Sequence, residues 1–266
     1  MKPDQQVREY FQTLYSAWGR QHWWPAQSRF EVIVGAYLTQ NTAWTNVERA
    51  LSHLRHARRL SVRGIRDTPL PRLEQLIRSA GYFRQKARRL KTFVNFLDHQ
   101  YGGSLERMFA QPTAQLRTEL LTLNGVGPET ADSILLYAGN QPVFVVDAYT
   151  RRILERHGLV SAKTTYEEIR ALFEQGLADV VPVPRWQALG RPASAPSKKK
   201  LSPPDVAPDR PRGSTHLPSR MSTAPRSDLV QIFNEMHGLI VGVGKNYCLK
   251  SQMRCEWCPL QKFLPR

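Results

Sequence analysis

Leu123-Asn124-Gly125-Val126-Gly127-Pro128-Glu129-Thr130-Ala131, followed by Val143-Phe144-Val145-Val146-Asp147, is the stretch on which the fold of this chain turns. Apolar residues at helical spacing precede it (Leu116, Leu120, Leu121) and resume after it (Ala131, Ile134, Leu135, Ala138), so both glycines are expected in a tight turn between two helices. Glycine there permits a positive φ and close approach of backbone. Pro128 suits the first position of the second helix, whose free amides carry a partial positive charge suited to a phosphate.

At 266 residues the chain can bury a substantial core. Its formal charge of +16 and pI near 10.2 point to a polyanionic partner, nucleic acid before an acidic membrane surface. No apolar run approaches the length of a spanning helix, and Met-Lys-Pro-Asp-Gln-Gln lacks the apolar core of a signal peptide. A monomeric, cytosolic protein gathered on the nucleoid through DNA, with no membrane partner, is the expectation. Cys248, Cys255 and Cys258 are the only cysteines, and so tight a cluster reads as metal ligation before disulfides.

Periodicity predicts helices over 5–18, from Phe30 onward, and over 45–59, 70–80, 84–101, 148–157, 165–177 and 228–244. Trp23-Trp24-Pro25 cannot bury both rings on one face of a regular element, so one of them is expected at a cavity or surface and the alternative is plain packing. Over 181–226 periodicity stops and ten prolines gather between Pro182 and Pro225, with Lys198-Lys199-Lys200 among them. This composition predicts a disordered basic insertion rather than a boundary between domains.

The pattern Leu-x-Gly-x-Gly-x-x-Thr-Ala, with Asp147 about twenty residues beyond the turn, resembles the helix-hairpin-helix of the endonuclease III superfamily of DNA glycosylases. Gly81-Tyr82-Phe83-Arg84-Gln85-Lys86-Ala87 is similar to a second turn of that superfamily. The resemblance implies an all-α fold, with a six-helix domain over 29–142 that carries the hairpin. A second helical domain would be formed from 1–28 and 143–266, with double-stranded DNA containing damaged bases between the two. It further implies backbone anchoring by Leu123, Asn124, Gly125, Val126, Gly127 and Thr130, a duplex-filling Gln40, and Asp147 as the catalytic carboxylate. Trp23, Trp24 and Trp44 become candidate walls of the base pocket. Helix capping is the plain alternative for Asp147.

Two departures from the family pattern carry information. Bifunctional members place a lysine where this chain has Glu129, so the resemblance implies a monofunctional glycosylase in which water attacks. The rival functions are a bifunctional glycosylase and AP lyase for oxidised pyrimidines and a lesion-binding module without catalysis. Glu129 reads either as a first-turn residue compensating the helix dipole or as a second catalytic carboxylate beside Asp147. Trp-Trp-Pro with a hairpin lacking lysine is similar to the 3-methyladenine branch, which implies alkylated bases held by aromatic faces, with Lys245 as a pocket lysine or a surface residue.

Cys248-x6-Cys255-x2-Cys258 matches the first three ligands of the family's 4Fe-4S loop, and Leu264 stands at the fourth position. The resemblance implies a cluster held by three cysteines, labile or unfilled. Zinc with His237 as a further ligand is the weaker alternative.

Overall fold

The computed structural model describes residues 1–180, 216–251 and 253–265. In chain order its helices are α1 (Pro3–Trp18), α2 (Arg29–Leu38), α3 (Trp44–His56), α4 (Val62–Asp67), α5 (Leu70–Leu76), α6 (Phe83–Tyr101), α7 (Leu105–Phe109), α8 (Thr113–Leu121), α9 (Pro128–Ser133), α10 (Ala148–Arg156), α11 (Tyr166–Leu177) and α12 (Asp228–Asn246). A buried π-helical turn, Ile134–Ala138, continues α9. Among the described residues no strand is formed, only an isolated antiparallel bridge between Cys248 and Met253. The fold is all-α.

The chain divides into two compact units. The first consists of Trp24–Val145 and Pro218–Asn234 and contains α2 to α9. Its centre is α2, where Phe30, Val32, Ile33, Val34, Tyr37 and Leu38 are all buried, as expected of a helix apolar on every side. The end of α2 is held by a buried cation. Lys86 Nζ donates to the carbonyls of Leu38 (2.9 Å), Gln40 (2.8 Å) and Ala80 (2.7 Å), so its three donors are used where no water reaches them. Burial and the nearby Arg89 lower its pKa to about 8, while the three carbonyls favour the charged form. Helices α4 and α7 escape sequence periodicity because six and five residues are too few to display it.

The second unit consists of Met1–Trp23, Glu235–Arg266 and the described part of Val146–Leu217. It contains α1, α10, α11 and most of α12. Helix α1 lies against α11 at Gly176, where a Cβ would come within 2.7 Å of the Asp4 carbonyl oxygen. Helix α10 lies against α12 in the same way, because Gly244 leaves room for the ring of Tyr149.

The apolar run 143–146 is buried and forms no strand, and Val146 N–H donates to the Tyr166 hydroxyl. Two expectations need adjustment. The basic insertion was expected to lack structure through 226, yet 216–226 is partly built. Met221 N–H donates to Ala26 O (3.0 Å), and Ser219 Oγ accepts from Ala26 N–H (3.2 Å), so short polar side chains supply what apolar area cannot. The rest of that expectation, 181–215, lies outside the described residues. The expected partition also differs from the two units at 218–234, which groups with Trp24–Val145, where Phe233 packs edge-on against Phe144.

The α10–α12 approach gives a direct test. Gly244→Ala drives a methyl into the Tyr149 ring, and overpacking of this kind costs about 1–3 kcal/mol. A lowered midpoint in chemical denaturation is the expected result, and no change in midpoint would show that Tyr149 moves aside freely.

Candidate active site and cysteine cavity

The hairpin is formed by α8, the turn 122–127 and α9. Its two helices are clamped by Arg117, which donates to Asp132 through Nε (2.6 Å) and NH2 (3.1 Å), with the Asp132 side chain fully buried. Gly125 has φ +80 and needs glycine. Gly127 does not share that requirement. Its φ is −96, and a Cβ there would meet nothing within 4 Å, so of the two glycines only Gly125 takes a positive φ. Asn124 and Gly127 are exposed, whereas Leu123 and Gly125 are half-buried and Val126 and Thr130 are buried.

Gln40, from the segment after α2, is held at both ends of its amide. Nε2 donates to the hairpin at Gly125 O (3.0 Å) and Thr130 Oγ1 (2.9 Å), and Oε1 accepts from Arg89 NH1 of α6 (2.8 Å). Freeing this side chain means exchanging three hydrogen bonds, each worth about 1 kcal/mol net.

The two adjacent tryptophans part company. Trp24 belongs to the first unit, is 7 % exposed, and lies over Gly35 with its ring edge-on to Trp44 (5.1 Å between centroids) and tilted on Tyr137 (5.1 Å). Trp44 is half-buried and donates Nε1–H to Glu48. Trp23 belongs to the second unit and is half-buried above Gly238. The edge of His237 meets it at 5.9 Å, and Lys245 Nζ stands 5.7 Å from its ring centre.

Asp147 lies in the same unit and caps α10. Its Oδ1 accepts from Thr150 N–H and Thr150 Oγ1–H, both at 2.8 Å. Oδ2 is 3.6 Å from His237 Nε2, an ion-pair distance. Burial works to raise the Asp147 pKa, but His237 and the two Thr150 bonds outweigh it and hold the carboxyl below its ordinary value. The side chain keeps 13 % of its surface open, so an ionised oxygen at a helix N-terminus remains reachable. Asp147, His237, Trp23 and Lys245 thus form one group.

At the far end of α10 the three cysteines border a single cavity of about 110 Å³, together with Arg156, His157 and Leu264. Arg156 NH1 donates to Cys248 Sγ (3.1 Å) and to Leu249 O (2.7 Å). Burial pushes the Cys258 thiol up to about 11, and nearby Cys255 and Cys248 push in the same direction. Among the described residues no three His, Cys, Asp or Glu side chains converge closely enough to hold a single metal ion. His237, the suggested zinc ligand, pairs with Asp147 instead. Cys248, Cys255 and Cys258 border the cavity together with Leu264, which offers no donor.

Residues 34–179 match the model of the HhH-GPD superfamily base excision DNA repair proteins, which is more than half of the chain. A Methanocaldococcus jannaschii protein that carries the name "Putative DNA repair glycosylase" is 36 % identical over 258 residues, covering 97 % of this chain and 94 % of its own. The chain belongs to the HhH-GPD superfamily. Endonuclease III of Thermotoga maritima is 31 % identical over 157 residues, 59 % of this chain and 67 % of that one. Among solved structures, H. pylori 3-methyladenine DNA glycosylase bound to 1,N6-ethenoadenine superposes with a TM-score of 0.65 at 23 % identity, covering 92 % of this chain and 98 % of that one. A trapped covalent intermediate of endonuclease III with DNA gives 0.67 at 20 % identity, covering 99 % and 96 %. At these identities the superpositions show a shared fold. Family membership makes this HhH-GPD chain a DNA glycosylase of base excision repair, and no helix among its described residues is long and apolar enough to cross a membrane.

Glu129 of this HhH-GPD protein sits exposed in the first turn of α9, where a carboxylate complements the helix dipole. Sequence reasoning named His237 for the wrong neighbourhood and passed over His157. A histidine four residues after Phe233 on an apolar helix face carries no periodic signal of its own.

Because the folded pKa of Asp147 is lowered, its contribution to stability is present above the unfolded value near 3.9 and disappears as pH falls through the folded value. The stability gap between wild type and Asp147→Asn, measured by urea denaturation, is therefore largest above about pH 4 and narrows below it. A gap that widens on acidification would overturn the ionised assignment.

Proposed function

We propose that the chain is a monofunctional DNA glycosylase acting on alkylated purines in duplex DNA. The observation that carries this reading is an ionised, helix-capping Asp147 in one group with Trp23, while the hairpin offers Glu129 where a lyase needs an amine. The flipped nucleotide stacks on aromatic surface. As the bond from base to sugar breaks, its electron pair leaves with the base and positive charge develops on the sugar. Asp147 stabilises that charge or takes a proton from the water that adds to the sugar. His237 holds Oδ2, and Thr150 holds Oδ1, so the carboxylate needs little reorganisation.

Anchoring falls to Leu123, Asn124, Gly125, Val126, Gly127 and Thr130, with Gln40 released from its hairpin bonds to fill the gap in the duplex. The open space at Gly127 supports close approach of a phosphate. Glu129 is read as a dipole partner, without a catalytic step. The three thiols support a 4Fe-4S cluster held by Cys248, Cys255 and Cys258, which organises the loop between α12 and the chain end.

Lys245 refines the substrate. Its ammonium already stands 5.7 Å from the Trp23 ring, where a cationic base would be drawn by the ring quadrupole. Neutral alkylated purines avoid that repulsion and are the favoured substrates. Trp24, being 7 % exposed and packed on Gly35, contributes mostly as the support of Trp44.

Purified protein should release alkylated purines from methylated or etheno-modified DNA and leave the phosphodiester backbone unbroken, whereas Asp147→Asn should bind the same DNA without base release. Borohydride trapping of a covalent adduct in high yield would instead assign lyase chemistry. Lys245→Gln is expected to raise release of 3-methyladenine relative to 1,N6-ethenoadenine by roughly 2- to 5-fold, the scale of an exposed cation–π term. An unchanged ratio would remove Lys245 from the pocket.

A further inference from the structure

The cysteine cavity lacks a thiol at Leu264, yet it does not lack a fourth donor. His157, the residue that ends α10, borders the same cavity as Cys248, Cys255, Cys258 and Leu264. Its position beside Leu264 follows from two independent observations. Tyr10 packs edge-on against both His157 (5.4 Å between centroids) and Phe263 (4.9 Å), the neighbour of Leu264. On the other side, a Cβ at Gly158 would be in van der Waals contact with Pro265 at 3.6 Å. Residues 157–158 and 263–265 therefore share one corner.

The imidazole is also oriented. His157 Nδ1 lies 2.6 Å from the Tyr10 hydroxyl, which in turn accepts from Gln6 Nε2 at 3.0 Å. When Nδ1–H donates to the Tyr10 oxygen, the lone pair of Nε2 is left available. A ring nitrogen fixed by a partner on its other nitrogen is the usual arrangement of a ligating histidine.

We propose that His157 is the fourth protein ligand of the iron–sulfur cluster, through Nε2, replacing the thiolate absent at Leu264. This inference rests on the cluster reading given under Proposed function. Binding forms one Fe–N bond and releases no proton from the histidine, whereas each cysteine gives up one. A neutral imidazole in place of a thiolate leaves the site less negative by one charge, so its reduction potential is higher than that of an all-cysteine version.

The test uses the full chain, reconstituted with iron and sulfide without oxygen. Wild type is expected to hold a four-iron cluster whose reduced form shows nitrogen hyperfine coupling in pulsed EPR. His157→Ala should lose that coupling. In air, which takes one electron and lets one Fe(II) leave, it should pass to a three-iron form roughly tenfold faster or more. Adding Leu264→Cys to His157→Ala should restore iron retention, a rescue that a merely misfolded protein would not show. His157→Cys should keep four irons at a lower potential. Nitrogen coupling and iron retention unchanged in His157→Ala would overturn the histidine assignment alone, and a wild type that retains no iron would overturn the cluster reading itself.

Discussion

The carboxylate of Asp147 is the constraint on which the second unit depends. It caps α10 through two bonds to Thr150, and it pairs with His237 of α12 at its other oxygen. One short helix is thereby fixed at its start, and its register decides what appears at its end. Arg152 reaches the carbonyls of Gly244 and Cys248, Arg156 reaches Cys248 and Leu249, and His157 closes the helix at the cavity. The candidate catalytic group and the cysteine loop thus hang on the two ends of the same rod. The cap gives this carboxylate a fixed orientation, because the bonds that hold the helix also favour its ionised form.

In the first unit, polar groups inside the protein set geometry more than they add stability. Asp132 is fully buried and held bidentately by the half-buried Arg117, so desolvation offsets part of the attraction. What the pair secures is the angle between the helices of the hairpin. Lys86 does similar work for the end of α2, and Gln40 extends that work to Gly125 and Thr130. The turn facing outward is consequently built on saturated donors and acceptors, while its own Asn124 and Gly127 stay exposed.

Small residues decide where the large rings go. Gly35 receives Trp24, Gly238 receives Trp23, and Gly244 receives Tyr149. Adjacent tryptophans in sequence therefore end in different packing environments. Trp23 takes a cation and a histidine as neighbours, and Trp24 takes two aromatic rings.

Much of the fold was legible in the sequence because long amphipathic helices and the Gly-x-Gly turn are local signals: the spacing in α1, α3, α6 and α12 reports a buried face directly, and Pro128 and Asp147 mark helix starts. Helices α4 and α7 were too short to report one. The cysteine spacing named Cys248, Cys255 and Cys258 as candidates from sequence alone, and the structure places all three at one cavity. Tertiary structure decided the rest: that His237 faces Asp147 rather than the cysteines, that Gln40 is bound to the hairpin, and that His157 stands beside Leu264. These pairings join residues from 85 to more than 100 positions apart, and no local pattern encodes which of two distant helices a side chain will meet; only the packing of one helix on another does.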